Sequence, residues 1–148
     1  MRAERRAEVV WEGDLAHGSG TIVSTGSGAF GDLNVSWKAR TEDSSGQTSP
    51  EELLAAAHAS CFAMAFSNGL AQNGSPPERL DVRAVCAFEK VDDGWKVSTM
   101  ELDVEGRVPG IDVAAFEEAA EQAKDGCPVS GALHGNVDIT VRPRLLEA

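Results

Sequence analysis

The strongest constraint on the fold of this chain is an apolar helical run over residues 53–70. A helix start precedes it, because Ser49 is a favourable N-cap, Pro50 suits the first helical position and Glu52 completes a capping box with Ser49. Apolar side chains then occupy nearly every face of the helix: Leu53, Leu54, Ala57, Phe62, Met64, Phe66 and Leu70. A helix that is apolar all round is buried on several sides. This predicts a sheet against one side of the helix and a partner subunit against another.

Alternating apolar and β-branched residues predict strands before and after this helix. The predicted strands cover residues 7–11, 18–25, 33–39, 80–91, 95–108 and 136–145. The first three form an antiparallel meander, and Asp92-Asp93-Gly94 predicts a hairpin turn. Asp112 caps a second helix over residues 113–124, with a further helical turn at 128–133. The order βββ-α-ββ-α-β predicts an α+β fold in a single domain over residues 1–148.

The charge balance excludes one class of partner. The formal net charge is −11, which argues against binding to the phosphate backbone of a nucleic acid. The first residues carry charges without an apolar stretch after them, so we expect no secretory signal. Residues 53–70 contain His58, Ser60, Ser67 and Asn68, which we expect to be too polar for a membrane span. A cytoplasmic protein in a reducing compartment is the expectation from these features.

The three cysteines are the most reactive side chains of the sequence, and two of them are candidates for a functional role. Cys61 lies inside the apolar helix, beyond the reach of the helix dipole, where burial predicts a raised pKa and an inert thiol unless a cation approaches. Cys127 falls at a helix start, where backbone N–H groups can stabilise a thiolate. Cys86 is interpreted as a core residue of a strand. Two interpretations follow. Cys61 and Cys127 form a redox pair, or Cys61 is only a small apolar residue of the core.

Two further interpretations of the same region stay open from the residues alone. His58, Cys61 and Cys127 could supply three zinc ligands, but a fourth ligand is not evident, so no metal or other cofactor is expected. Glu51 is either a general base or a partner of the helix dipole. Arg40, at the end of the third predicted strand, is the cation best placed to reach the helix.

Several segments together resemble the family of osmotically inducible protein C and organic hydroperoxide resistance proteins, which are thiol peroxidases. The longest is Thr-Ser-Pro-Glu-Glu-Leu-Leu-Ala-Ala-Ala-His-Ala-Ser-Cys-Phe-Ala-Met-Ala at residues 48–65. It is joined by Cys-Pro-Val-Ser-Gly-Ala-Leu at 127–133, Asn-Val-Asp-Ile-Thr at 136–140, and Val-Trp-Glu-Gly-Asp at 10–14 with Gly-Ser-Gly-Thr at 18–21. The resemblance covers nearly the whole chain and implies antiparallel strands wrapped around a long central helix in an intertwined homodimer.

The resemblance also implies roles for individual residues. Cys61 matches the peroxidatic cysteine of the family, Cys127 the resolving cysteine and Glu51 the glutamate of the motif. Arg40 matches the arginine of the osmotically inducible branch, because the loop at residues 13–20, which supplies the arginine in the other branch, contains none. Glu51 and Cys61 lie about 15 Å apart along one straight helix, so we expect Arg40 and Glu51 to serve the cysteines of the other subunit.

The implied reaction is reduction of organic hydroperoxides, and of hydrogen peroxide, through a Cys61 sulfenic acid and a Cys61–Cys127 disulfide. An external dithiol, small or lipoyl-type on a protein, would reduce the disulfide. Phe62, Met64 and Phe66 are expected to form an apolar wall for the substrate. The alternative is a stress protein that binds thiols or a metal through the same cysteines without turnover.

Overall fold

The computed structural model describes residues 1–146, so Glu147 and Ala148 at the end of the predicted domain lie outside the described residues. The chain is an α+β protein, as predicted. Its elements in order are β1 (Ala7–Glu12), β2 (Ser19–Thr25), β3 (Gly31–Val35), α1 (Trp37–Thr41), α2 (Pro50–Gln72), β4 (Arg79–Val91), β5 (Gly94–Arg107), α3 (Val113–Gly126), α4 (Pro128–Leu133) and β6 (Asp138–Leu145). They fall into two compact units, Met1–Leu53 and Leu54–Ala148. The single domain over residues 1–148 stays a prediction.

The first unit contains the predicted antiparallel meander, in the order β1-β2-β3. The strands approach closely at Gly20, which pairs with Trp11 on one side and Val35 on the other. A Cβ atom at Gly20 would lie 2.7 Å from the Trp11 ring and 2.9 Å from a methyl group of Val35. Only glycine therefore fits this position without a shift of its neighbours.

The third strand is shorter than predicted, and the expectation that it runs to Ala39 and ends at Arg40 is wrong. The strand ends at Val35, and Ser36 caps helix α1, which carries Arg40. The Ser36 hydroxyl accepts a hydrogen bond from the backbone N–H of Ala39 at 3.1 Å. Alternating apolar residues at this point belong partly to a strand and partly to a short helix, because the side-chain cap outweighs the strand periodicity.

Helix α2 begins as predicted. The Ser49 hydroxyl accepts a hydrogen bond from the Glu52 N–H at 3.1 Å, while the Glu52 carboxylate accepts from the Thr48 hydroxyl at 2.9 Å. Contrary to the expectation from its polar residues, α2 is long and apolar enough by length and composition to cross a membrane, with a mean hydropathy of 1.3; among residues 1–146 it alone meets that criterion. The core helix of a soluble protein meets the same criterion, so this is weak support for a membrane.

The second unit contains the sheet β4-β5-β6. Strands β4 and β5 form a long antiparallel hairpin whose two-residue turn is Asp92-Asp93, with Asp92 at a φ of 53°. Strand β6 runs parallel to β5, unlike the antiparallel arrangement that we expected for all strands. Helices α3 and α4 lie between the two strands in sequence, and such a crossover connection permits parallel pairing.

The core of the second unit fixes the rotation of α2. Phe62, Phe66 and Leu70 are fully buried, and their spacing of four residues places them on one face of the helix. The Phe66 ring packs against Phe62 at 5.5 Å and against Phe116 of α3 at 5.1 Å between centroids. The orientation of every other residue on α2, including Cys61, follows from this packing.

Candidate active site

The two cysteines come from different elements of the second unit. Cys61 lies on α2, next to the buried Phe62, and is half-buried. Cys127 is 1% exposed and connects α3 to α4. Its backbone N–H donates to the Ala123 carbonyl at 2.9 Å, and its carbonyl accepts from the Gly131 N–H at 3.0 Å. The junction therefore holds the backbone of Cys127 from both sides.

The thiols of Cys61 and Cys127 share a hydrogen bond and do not have the same acidity. Burial raises the pKa of the Cys61 thiol, and the hydrogen bond with Cys127 raises it further. Burial also opposes ionisation of Cys127, but its pKa is lowered because Cys61, the Ser130 and Val129 N–H groups and the Ser130 hydroxyl donate to it. This arrangement of donors favours ionisation of Cys127 over that of Cys61.

A buried histidine and a buried serine lie beside the thiol pair, and the serine contacts Cys127. His58 is 0% exposed, and its Nε2 lies 2.7 Å from the Ser130 hydroxyl oxygen. Because His58 is on α2 and Ser130 on α4, this bond joins the two helices that carry the cysteines. Burial lowers the pKa of His58, so the ring is neutral at physiological pH.

Arg40 and Glu51 form an ion pair within the first unit. The Arg40 guanidinium donates to Glu51 Oε1 from Nη2 at 2.7 Å and from Nε at 3.0 Å, and Nε also lies 3.2 Å from Oε2. The Glu51 side chain is 7% exposed and that of Arg40 is 30% exposed. A guanidinium held on a buried carboxylate has a fixed direction. The four predicted site residues thus form two pairs, the ion pair in the first unit and the thiols in the second.

Three other expectations for this region have definite outcomes. Phe62 and Phe66 do not form a substrate wall, because both are fully buried in the core, whereas Met64 is 71% exposed. Cys86 packs against the core from β4, as interpreted. Among residues 1–146, the His, Cys, Asp and Glu side chains form no cluster of three or more that could hold a metal ion, so the zinc interpretation of His58 has no geometric support.

The sequence analysis missed the contact between His58 and Ser130. Ser130 lies three residues after Cys127, as His58 lies three before Cys61, so each polar residue is one helical turn from a cysteine. His58 also continues the buried row of Phe62, Phe66 and Leu70 at a spacing of four residues. A histidine in such a row is inside the protein and needs a buried partner.

Comparison with known proteins agrees with this fold. The family model described as OsmC-like protein matches residues 24–142. The chain is also 40% identical over 139 residues to peroxiredoxin OsmC of Escherichia coli, covering 94% of this chain and 96% of that protein. The chain belongs to the OsmC-like family.

Other similar proteins share less of their sequence with this chain. The organic hydroperoxide resistance protein of Xanthomonas axonopodis pv. citri is 32% identical over 95 residues, which cover 64% of this chain and 65% of that protein. The crystal structure of the organic hydroperoxide resistance protein OhrB of Bacillus subtilis superposes with a TM-score of 0.69 at 23% identity, covering 94% of this chain and 98% of that one. At that level of identity, the likeness supports the fold.

Proposed function

We propose that this OsmC-like protein is a cysteine-based peroxidase that reduces hydroperoxides, with Cys61 as the attacking thiol and Cys127 as the resolving thiol. The enzyme class is a peroxidase: the relatives include a peroxiredoxin and an organic hydroperoxide resistance protein, which supports a peroxide-detoxifying role. The finer assignments rest on the site itself. The observation that carries them is the hydrogen-bonded contact between two thiols that are distant in sequence.

The first step is attack of the Cys61 thiolate on the distal oxygen of the hydroperoxide. The O–O bond breaks, Cys61 becomes a sulfenic acid, and the leaving alkoxide takes a proton to become an alcohol, or water when the substrate is hydrogen peroxide. Cys61 needs help to ionise, because burial and Cys127 both raise its pKa. We assign this help to the Arg40 guanidinium, since a nearby cation favours the thiolate.

The second step closes a disulfide. Cys127 is already in contact with Cys61 and attacks the sulfenic sulfur, which releases hydroxide that leaves as water after protonation. An external dithiol then reduces the disulfide by two thiol exchanges and becomes a disulfide itself. No metal or other cofactor takes part in this cycle.

Glu51 serves in this scheme as the carboxylate that directs Arg40. Its two oxygens accept three hydrogen bonds from the guanidinium. We propose a homodimer in which this ion pair reaches the cysteines of the other subunit, because Glu51 and Cys61 are about 15 Å apart along α2. Within one chain, 22% of the most apolar 18-residue stretch of α2 is buried, which leaves apolar surface for a partner.

Steady-state consumption of peroxide coupled to dithiol oxidation tests the function. The protein should consume an alkyl hydroperoxide and, in a parallel assay, hydrogen peroxide, in a stoichiometric ratio to the dithiol oxidised. Binding of thiols or metal without any turnover would support the alternative of a non-catalytic stress protein. Metal analysis of the purified protein then distinguishes a metal-binding stress protein from a thiol-binding one.

A further inference from the structure

His58 and Ser130 form a buried polar pair to which the proposed cycle assigns no role. Ser130 is 5% exposed and contacts Cys127 through its hydroxyl as well as His58 through the bond of 2.7 Å. The contacts therefore run from His58 through Ser130 to Cys127 and then to Cys61. All four residues belong to the second unit, on α2, on α4 and at the junction before α4.

The direction of these hydrogen bonds follows from the surroundings of the histidine. His58 Nδ1 is buried and has no hydrogen-bond partner in the part of the chain that the structure describes. A buried N–H without an acceptor is rarer in proteins than an acceptor with an unused lone pair, so the proton of the neutral ring belongs on Nε2. Nε2–H then donates to the Ser130 oxygen, which leaves the serine proton to donate to the Cys127 sulfur.

We propose that Ser130, oriented by His58, is a positioning residue that stabilises the Cys127 thiolate when it attacks the Cys61 sulfenic acid and when it leaves the disulfide. This inference rests on the proposed function. Burial would otherwise keep Cys127 protonated, since a thiolate in an apolar site loses its hydration. A hydroxyl whose own oxygen is occupied by His58 has its proton fixed toward the sulfur, whereas a free serine hydroxyl would rotate.

The effect on the cycle is twofold. In disulfide formation, the Cys127 thiolate attacks the Cys61 sulfenic sulfur, the S–O bond breaks, and hydroxide leaves and is protonated to water. In reduction, one thiolate of the dithiol attacks the Cys61 sulfur, the S–S bond breaks, and Cys127 leaves as the stabilised thiolate. The second thiolate of the dithiol then displaces Cys61. A more stable leaving thiolate directs the first attack to Cys61 and speeds it.

The groups that act on the Cys127 thiol are few. Cys61 faces it from α2, and Ser130 and the Val129 N–H face it from α4. On α3, the charged residues nearest to Cys127 in sequence are Asp125, Lys124 and Glu121, and the Lys124 ammonium lies 2.8 Å from Glu121 and 3.8 Å from Asp125. Among these groups, the serine hydroxyl is the one that a substitution at position 130 removes while the backbone N–H groups of Val129 and Ser130 remain.

The direct test measures the pKa of Cys127 in a protein with no other cysteine, Cys61→Ser with Cys86→Ser, by thiolate absorbance against pH. Adding Ser130→Ala should raise this pKa by about one unit, which is about tenfold less thiolate at neutral pH. Ser130→Thr, which keeps the hydroxyl, should restore it. Ser98→Ala is the matched control, because the Ser98 hydroxyl is buried and has no partner among the described residues. An unchanged or lowered pKa in Ser130→Ala protein would overturn the proposal.

The role of His58 is tested by a double-variant cycle in the same cysteine background. His58→Phe alone should raise the Cys127 pKa, and it should add nothing when Ser130 is already alanine, because His58 acts through Ser130. Additive effects would overturn the orientation by His58. In the protein with all three cysteines, Ser130→Ala should lower kcat about tenfold at neutral pH and recover at alkaline pH. A deficit that persists at every pH would mean a structural role.

A failure of the proposed role of Ser130 and a failure of the proposed peroxidase function give different experimental results. The thiol titration uses no peroxide, so it stands even if the protein has no peroxidase turnover. Conversely, full peroxidase activity with an unchanged Cys127 pKa in Ser130→Ala protein would reject the role of Ser130 alone.

Discussion

At the scale of single residues, hydrogen-bond donors rather than burial distinguish the two thiols. Burial raises the pKa of both Cys61 and Cys127. Cys127 collects donors from α4 and from Cys61 itself, and its pKa falls below the usual thiol value. Cys61 has the Val129 N–H as its favourable contact within the second unit, and its pKa rises. A peroxidatic role for Cys61 therefore depends on a cation, for which we propose Arg40.

Serine substitutions should separate the roles of the two thiols. Cys61→Ser should reduce peroxide consumption to the uncatalysed level, because no sulfur remains to be oxidised. Cys127→Ser should still consume one equivalent of peroxide per site in a single turnover and then stop. Rapid-mixing measurement of peroxide loss checks both results. Cys86→Ser is the matched control and should keep full turnover; a Cys127→Ser protein without a first turnover would contradict the assignment.

Protonation of His58 should weaken the fold in mild acid. Its pKa in the folded protein is lowered from 6.5 by burial, so the unfolded chain binds the proton more readily. The stability from a neutral His58 is complete above the unfolded pKa and is lost as pH falls toward the folded pKa, at about 1.4 kcal/mol per unit of depression. Urea unfolding at about pH 7.5 and about pH 5 should show a larger acid loss in the parent protein than in His58→Phe. An equal loss in both would show that another group controls it.

At the scale of elements, two groups of the site lie on short helices. Arg40 sits on the five-residue α1 and Ser130 on the six-residue α4. Helices this short are not stable alone, so caps and tertiary contacts hold them in place. In α1 that cap is Ser36, and in α4 the anchors are Cys127 and the bond from Ser130 to His58.

Removal of the α1 cap should weaken the positioning of Arg40. Ser36→Ala deletes the hydrogen bond from the Ala39 N–H, and a lost N-cap costs about 1 kcal/mol. If the helix frays by that amount, peroxide reduction should slow by up to about fivefold. Ser36→Asp, another good N-cap, is the rescuing control. Stopped-flow rates of sulfenic acid formation measure the effect, and equal rates in Ser36→Ala and parent protein would separate Arg40 from catalysis.

The contact between α2 and the α3–α4 junction should become covalent on oxidation. After one equivalent of hydroperoxide, peptide mapping under non-reducing conditions should give a Cys61–Cys127 disulfide that a dithiol reverses. The half-buried Cys86 should stay outside the disulfide and serves as the internal control. Sulfinic acid at Cys61 together with free Cys127 would exclude a two-cysteine cycle.

At the scale of the whole molecule, apolar residues remain on the surface of each unit. In the first unit they include Val9 and Leu15, both 57% exposed, and in the second Met64 at 71% and Val85 at 55%. Exposed apolar side chains of this size, of which Met64 lies on the helix that carries Cys61, are typical of a surface that another chain covers. A second copy of this chain is the proposed cover, which explains why α2 is apolar on nearly every face.

Subunit exchange tests whether the site is shared. Arg40→Ala and Cys61→Ser homodimers should each be inactive, because each site lacks one of its parts. Heterodimers formed by mild denaturation and renaturation should regain one intact site, and thus up to half of the parent activity per dimer. A tag on one subunit isolates the heterodimers for peroxide assays. Mixed Cys61→Ser and Cys127→Ser subunits are the control: those residues lie on one chain and should restore no full cycle.

The sequence by itself determined the features that depend on neighbouring residues. The start of α2 at Ser49, the turn at Asp92-Asp93 and the order of the strands follow from caps, turn chemistry and periodicity, which act over a few residues. The motifs around Cys61 and Cys127 were equally visible, because they are contiguous. The local analysis missed the break of the third strand at Ser36, because a cap and a strand pattern overlap there.

The tertiary structure decided everything that depends on contacts between distant residues. It placed the two thiols in contact, formed the hydrogen bond between His58 and Ser130, and formed the ion pair between Arg40 and Glu51. It also reversed the expected direction of β6 and moved Phe62 and Phe66 from a substrate wall into the core. The physical reason is that acidity and burial are set by the groups around an atom, and these come from parts of the chain whose separation in sequence carries no signal of their contact.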